Sequence, residues 1–445
     1  MQAVVLSAVP AGHASMTSLA AVLDAELARA GYDAVTTFDL TTTKLAFCQG
    51  EFDCWVKTPG VCRSRDAEAD IVAAIHEADA VVLFGPVTFG GHGYVLKRAI
   101  DRLLCLLGPF FTKRNSLTHH ELRYEKHQRL FSVGWMPTAS AELAATFTDL
   151  NDANAINYLS PRCGALVLDD AHAEGWATAI HYMLETARVP GAAITAREPL
   201  RQALFAAAAP NPGDVGPSEI RRVALLVGSA KIKGTSASEV LARALVERFS
   251  RAWVGTELHF ATEFVHDNPR AFEGAEAMAA CDLFVLVTPL YVDSFPALAT
   301  HALELVAKAR RDVRAPARFV TLVNCGFPEA EQNRTALRIA RHFAEQAGYA
   351  WGGGLALGGG GVITPDRALE PHGPVAHVVR ALDLAVPALA AGEGLPHEAF
   401  VAMAEAPMPD ALYRVMGDLG WRWQAHQNGV AQRDLNARPL DEPHR

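Results

Sequence analysis

Residues 222–249 read RVALLVGSAKIKGTSASEVLARALVERF. Residues 223–227 are a short, almost wholly apolar run, which predicts a strand buried on both faces in a parallel sheet. A polar loop follows over 228–235, carrying Gly228, Ser229, Lys231, Lys233, Gly234 and Thr235. Leu241, Leu245 and Phe249 then recur at helical spacing. Ser236 and Glu239 stand in the relation of a capping box, which places the start of that helix. A loop between a buried strand and a capped helix gathers unpaired backbone N–H groups at the positive end of the helix dipole, an arrangement suited to phosphate. The loop matches neither GxxxxGK[ST] nor GxGxxG. Its hydroxyls, on Ser229, Thr235 and Ser236, suit one terminal phosphate and offer no room for a pyrophosphate. An ordinary polar turn is the plain alternative, since Gly and Ser are common turn residues.

The same strand–loop–helix unit recurs downstream. Residues 282–287 form another buried strand ending in TPLYVDSFP, and residues 319–323 a strand ending in NCGFPEA. Residues 252–261 are less regular, and residues 351–361 are very rich in glycine. Upstream, strands are expected at 3–9, 35–40, 80–84, 130–133 and 165–168, alternating with helices. One of these helices carries Leu96, Ile100, Leu103 and Leu107; another starts at Asp66. Strands alternating with helices predict βα units and parallel sheets with right-handed crossovers. GPVTFGG (85–91) stands in the first half where TPLYVDS (288–294) stands in the second. The fold expected is α/β, with two tandem doubly wound five-stranded parallel sheets, taken in the order 2-1-3-4-5, and a helical C-terminal tail. The domains are placed at 1–204 and 221–394, with a linker at 205–220 rich in alanine, proline and glycine. A helical extension at 395–445 carries Met403, Leu412, Val415, Met416, Leu419 and Trp423, with Trp421 and Trp423 read as core packing, and ends in a polar, disordered last dozen residues.

A chain of 445 residues, half of them hydrophobic, exceeds what one core usually serves. A net charge of −9 without a basic cluster argues against nucleic acid as a partner. The first residues lack the flanks of a signal peptide, and no apolar run approaches the roughly 20 residues of a membrane helix. Seven cysteines in such a chain are expected to be reduced. A soluble, cytoplasmic protein without nucleic-acid or membrane partners is the resulting expectation, with a homo-oligomer left open.

In a sheet of order 2-1-3-4-5 the ligand crevice lies at the carboxyl ends of strands one, three and four. The first loop there supplies Ser229, Lys231, Gly234, Thr235 and Ser236. The second supplies Pro289, Leu290, Tyr291, Val292 and Asp293, with Tyr291 able to lie against a flat ring. The third supplies Asn324, Cys325, Gly326 and Phe327. A phosphate at one end and a planar heterocycle at the other describe FMN.

On these pieces the sequence resembles the flavodoxin-like NAD(P)H-dependent FMN reductase and quinone reductase superfamily. GSAKIKGTS, TPLYVDSFP and VNCGFPEAEQN carry the likeness in the second half. In the first half it runs from CQGEFDCWVKTPGVC, starting at Cys48, to GPVTFGGHGYVLKRAIDR, and resembles the branch containing iron–sulfur flavoproteins. The first half departs from the pattern: SAVPAGHASMTS (7–18) lacks the Gly-Ser start, and Thr88 replaces the usual tyrosine. FMN is therefore assigned to the second half. Cys48, Cys54 and Cys62 are the only clustered thiols, and the resembling branch has a further cysteine where Glu51 stands. They are read as a packed loop and no metal site is assigned. His119, His120 and Glu121 are read as a solvated loop.

The resemblance implies an FMN-dependent oxidoreductase passing electrons from NAD(P)H to a quinone, flavin or similar small acceptor. No catalytic acid or base is assigned. The rival class is a non-catalytic electron carrier of flavodoxin or iron–sulfur flavoprotein type. Lys231 and Lys233 beside the site favour the enzyme, because acidic carriers crowd carboxylates around the flavin.

Overall fold

The computed structural model describes residues 1–192, 194, 196–214, 216–217 and 219–441. By internal contacts the chain divides into two units. Met1–Asn115, His119–Thr195 and Val415–Arg445 make the first; Ser116–Thr118 and Ala196–Arg414 make the second.

The first unit holds strands β1 (Gln2–Ser7), β2 (Ala34–Asp39), β3 (Ala80–Thr88), β4 (Gly91–His92), β5 (Leu107–Arg114), all but the first two residues of β6 (Leu117–Leu122), β7 (Arg129–Trp135) and β8 (Cys163–Leu168). Five of them form a parallel sheet of order β2-β1-β3-β7-β8. Helices α1 (Ala14–Arg29), α2 (Asp53–Val56), α3 (Glu68–Glu77), α4 (Tyr94–Arg102), α5 (Ala141–Asn157) and α6 (Trp176–Glu185) alternate with the strands. Leu19, Leu23 and Leu27, one helical face of α1, enter the core with Val5, Val82 and Phe131.

The second unit opens with α7 (Arg197–Ala208), β9 (Arg222–Val227), α8 (Ala237–Arg251), β10 (Gly255–Phe260), α9 (Pro269–Ala280) and β11 (Leu283–Pro289). It continues with α10 (Ala297–Arg310), β12 (Arg318–Asn324), α11 (Arg334–Ala347), β13 (Ala350–Leu357), α12 (Ala376–Ala390) and α13 (His397–Met403). Its sheet runs β10-β9-β11-β12-β13, all parallel. Both sheets thus have the expected 2-1-3-4-5 order. A final helix, α14 (Asp410–Gln427), follows. Residues 373–390, which include α12, are long and apolar enough by composition to cross a membrane; here α12 packs against α13 and α8.

The differences from the sequence reading have physical causes. The less regular piece after α8 is β10, an edge strand exposed along its first half, so it shows no continuous apolar run. The glycine-rich stretch is β13, buried throughout after its first residue. Leu107 is not on the helix of Leu96 and Ile100. That helix ends at Arg102, a short 3-10 turn follows, and Leu107 starts the β5–β6 hairpin. His119 and His120 lie in that hairpin, not in a solvated loop: His119 is buried, with Nδ1 2.6 Å from Asn157 Oδ1, and His120 packs 4.4 Å from the Trp55 ring. The helix expected from Asp66 begins at Glu68; Asp66 accepts the Glu68 N–H instead. α7 covers the start of the alanine-rich stretch read as linker and packs against α11 and β13.

The tail divides between the units at residue 414. Met403 is buried. Trp423, read as core packing, is more than half exposed, and Leu412, Val415, Met416 and Leu419 are at least half exposed. In the first unit Trp421 packs against Phe52 and Trp55. The last dozen residues are ordered up to 441, because Leu435 is fully buried and Arg123 Nη1 donates to the carbonyls of Leu435 and Ala437. Residues 442–445 lie outside the described residues.

One buried group gives the first unit a pH dependence. His92 is 5 % exposed, packs edge-on to Phe147, and its Nε2 has no partner among the described residues. Burial, and after it the Lys97 charge, push its pKa down to about 3. Below its ordinary value near 6.5 the unfolded chain takes up a proton that the native chain refuses, so stability falls as pH drops through that window. Urea denaturation at several pH values should show wild type losing up to about 1.4 kcal/mol per pH unit from this residue. His92→Leu should flatten the slope by that amount, and parallel slopes would count against the account.

Candidate functional site

The site is built on strand exits. At the end of β9, the Gly228 N–H donates to the Val287 carbonyl at 2.8 Å, tying the first loop to β11. A Cβ on Gly228 would sit 2.5 Å from Thr288 Oγ1 and 2.7 Å from its Cβ, so the strand can leave the sheet here only as glycine. Ser229 Oγ accepts the Lys231 N–H, and Ser236 Oγ caps α8 by accepting the Glu239 N–H, both at 3.2 Å. Each serine keeps its own hydroxyl proton to donate. The N–H groups of Ala237 and Ser238, in the first turn of α8, have no acceptor among the described residues. These donors fit a phosphate.

Other members of the loop differ from expectation. Thr235 is exposed and its hydroxyl donates to the Ile232 carbonyl at 2.6 Å, so its proton is already used. Lys233 turns outward, with Nζ 2.9 Å from Glu263 Oε1 and 4.0 Å from the Phe260 ring centre. The capping box is displaced: Glu239 Oε2 accepts the Gly234 N–H at 2.5 Å, not that of Ser236. Gly234, at φ +84, is thus a turn residue whose N–H is spent. Glu239 puts a carboxylate beside the loop, but Arg243 Nε and Nη2 hold its other oxygen at 2.9 and 2.7 Å and offset the charge.

The second loop is a tight two-residue turn. Tyr291 and Ser294 exchange backbone hydrogen bonds around Val292 and Asp293, both left-handed at φ 43 and 60. GPVTFGG has the same construction: Thr88 pairs with Gly91 around Phe89 and Gly90, at φ 53 and 78. The repeat read from sequence is therefore matched at backbone level, with Thr88 at the position of Tyr291. A β-branched residue such as Val292 in this conformation is strained, as is common where a loop serves a ligand. Pro289 is the last residue of β11 and Asp293 is buried.

The third loop meets the other two at Asn324. The Leu290 N–H donates to the Asn324 carbonyl at 2.9 Å, and Asn324 Oδ1 accepts from Ser238 Oγ at 2.8 Å. Ser238 is a site residue missed in the sequence; its position two residues after the helix cap was the available signal. Cys325 and Phe327 serve the loop itself. Burial pushes the Cys325 thiol up to about 12, and its Sγ lies 3.4 Å from the Phe327 carbonyl. Gly359 and Gly360 donate back to the carbonyls of Phe327 and Cys325. A Cβ on Gly358 would meet the Pro328 oxygen at 2.3 Å, so the glycine run permits close backbone approach. The Gly326 carbonyl accepts from the Tyr413 hydroxyl at 2.9 Å. Glu329 is fully buried and accepts from Thr118 Oγ1, a residue of the second unit, at 2.8 Å; burial holds its carboxyl above the usual range.

The corresponding place in the first unit is differently furnished. His13 caps α1 by accepting the Met16 N–H on Nδ1, and its ring packs edge-on to Trp135 at 4.3 Å. Ser15 Oγ donates to Asp170 Oδ2 and Trp135 Nε1 to Asp170 Oδ1. A carboxylate with no arginine on it therefore faces the α1 N-terminus, which opposes a phosphate dianion by like charge. In the cysteine loop, burial raises the thiol of Cys48 to about 12 and that of Cys54 well above its ordinary value. Cys105, missed in the sequence, lies within electrostatic reach of Cys54 and Cys62 and donates to Glu68 Oε1 at 2.9 Å. Among the described residues no group of three or more His, Cys, Asp or Glu could hold a metal ion.

Residues 1–120 match the family model described as NADPH-dependent FMN reductase. The resemblance to that superfamily is thereby borne out over those residues. The match lies in the first unit, whereas the phosphate-suited loop lies in the second. A structure of the NAD(P)H:quinone oxidoreductase from Methanothermobacter marburgensis is similar at 13 % identity and TM-score 0.34, covering 42 % of this chain and 98 % of its own. The FMN-dependent NADH-azoreductase from Bacillus anthracis, solved with FMN, is similar at 11 % identity and TM-score 0.32, covering 42 % and 98 %. The Trp repressor binding protein from Bacillus subtilis is similar at 15 % identity and TM-score 0.28, covering 36 % and 94 %. Comparison with curated proteins gave no match.

The strand exit makes a direct prediction. Gly228→Ala should destabilise the protein by about 1–3 kcal/mol through overpacking against Thr288. A thermal melt within a degree of wild type would show that Thr288 and Ala299 can give way.

Proposed function

We propose that the chain is an FMN-dependent NAD(P)H oxidoreductase that holds FMN in its second unit and passes electrons to a quinone, a free flavin or a similar small acceptor. The observation carrying this is the first loop: two serine hydroxyls with protons to give, unpaired first-turn N–H groups, and a neighbouring glutamate neutralised by arginine. Bound FMN would supply the redox chemistry, and the chain supplies position and electrostatics. Ser229 and Ser236 would hold the phosphate, with Lys231 beside them. Leu290, Tyr291 and Asn324 would border the ring, and Ser238 would keep Asn324 in place. The contrast with Asp170 in the first unit supports one flavin per chain.

Two measurements test this. Fluorescence titration should show Ser229→Ala raising the Kd for FMN about tenfold or more, the loss of one charge-assisted bond. Thr235→Ala, whose proton is engaged elsewhere, should change it little. Equal effects of the two would move the phosphate. Extracted flavin should approach one per full-length chain; the full chain is required because residues after 414 belong with the first unit. NAD(P)H oxidation with menadione then separates enzyme from carrier: tight FMN without turnover favours the carrier.

A further inference from the structure

At the carboxyl end of β2, in the first unit, lies an open cavity of about 580 Å³. Thr43, Lys44, Ser64, Arg65, Asp66 and Arg98 line it, with Thr41 and Thr42 at its edge. Three of these side chains are cationic and one is a carboxylate, but that carboxylate is saturated. Asp66 accepts both Arg102 Nη atoms, at 3.0 and 3.1 Å, and the N–H groups of Ala46 and Glu68. Its charge is held chiefly by Arg102, which is buried and does not line the cavity, and reaches Arg98 only as a weaker attraction. Asp39, at the end of β2, accepts from the Thr41 and Thr42 hydroxyls and does not line the cavity.

Lys44, Arg65 and Arg98 form no ion pair with any described residue. Arg98 is fixed in place: Nη2 donates to the Leu40 carbonyl at 3.1 Å, and the guanidinium lies 5.7 Å from the Phe47 ring centre. Its Nε is buried and has no acceptor among the described residues. A buried charged donor left unpaired is costly, and an incoming anion relieves that cost. Two further cations at the rim, and the Ser64 hydroxyl, favour a doubly charged oxyanion over a carboxylate.

We propose that this cavity is a phosphate-monoester site, formed by Arg98, Arg65, Lys44 and Ser64. It goes beyond the flavin reading and does not depend on it. Two sources share the chemistry, the ribose phosphate of a nicotinamide dinucleotide and a free or sugar phosphate.

Isothermal titration of the full chain, pre-saturated with FMN, against 2′-AMP, 5′-AMP and inorganic phosphate at low salt tests it. Lys44→Ala/Arg65→Ala is the variant, since both residues are exposed, and its circular dichroism and melt control for folding. Saturable binding of phosphate monoesters, weakened about tenfold or more in the variant, is expected. Preference for 2′-AMP would assign the dinucleotide source; comparable affinities of all three would assign a simple phosphate. No saturable binding, or binding undiminished in the folded variant, overturns the site. FMN affinity should be equal in both proteins, so failure here is distinguishable from failure of the flavin assignment.

Discussion

A parallel strand that is buried on both faces must shed its polar backbone at its ends, and in both units it does so at the carboxyl edge. The Gly228 exit shows the constraint in one residue. The N–H that leaves β9 is caught by β11, and the space that a side chain would need is taken by Thr288. The loop from Gly228 to Ser236 then leads into α8, whose N-terminus leaves its first-turn N–H groups unpaired. Leu290 and Ser238 then converge on Asn324, so the three loops are held to each other through one residue. The chemistry assigned to this edge follows from backbone satisfaction before any side chain is considered.

The two units show how much of such a site depends on a few substitutions on a shared frame. Their third-strand turns are built alike, with two left-handed residues between a bridged pair. Their first loops diverge. One ends in serines beside an arginine-neutralised glutamate, the other in a proline-containing loop faced by the Asp170 carboxylate. The fold is repeated, and the electrostatics at the helix N-terminus is not.

Central strands and the α8 cap were legible because burial and capping leave local signatures. Val223 to Val227 are apolar in succession, and Ser236 precedes the helix it caps. The elements that escaped lack such signatures. β10 is an edge strand with alternating exposure, and β13 substitutes glycine for the expected branched residues because Leu337, Leu395 and the Arg318 stem occupy the space above it. At the site, the roles of Thr235 and Lys233 were misjudged because residue type cannot say where a proton or a charge is already spent. Their partners, the Ile232 carbonyl and Glu263, are set by the folded loop. Cys105 joins the thiols only through the packing of the turn after α4.

The division of the tail has a bearing on how the protein is made. The first unit contains the beginning of the chain and also residues beyond 414, and the second unit is continuous except for Ser116–Thr118. Synthesis proceeds from the N-terminus, and domains tend to fold as they emerge. The first unit therefore waits, with the surfaces of Phe52, Trp55 and Arg123 uncovered, until Trp421 and Leu435 leave the ribosome. The earlier-made residues of that unit are the last to be covered, and a ribosome that stalls before Trp421 leaves Phe52 and Trp55 bare far upstream of the stall.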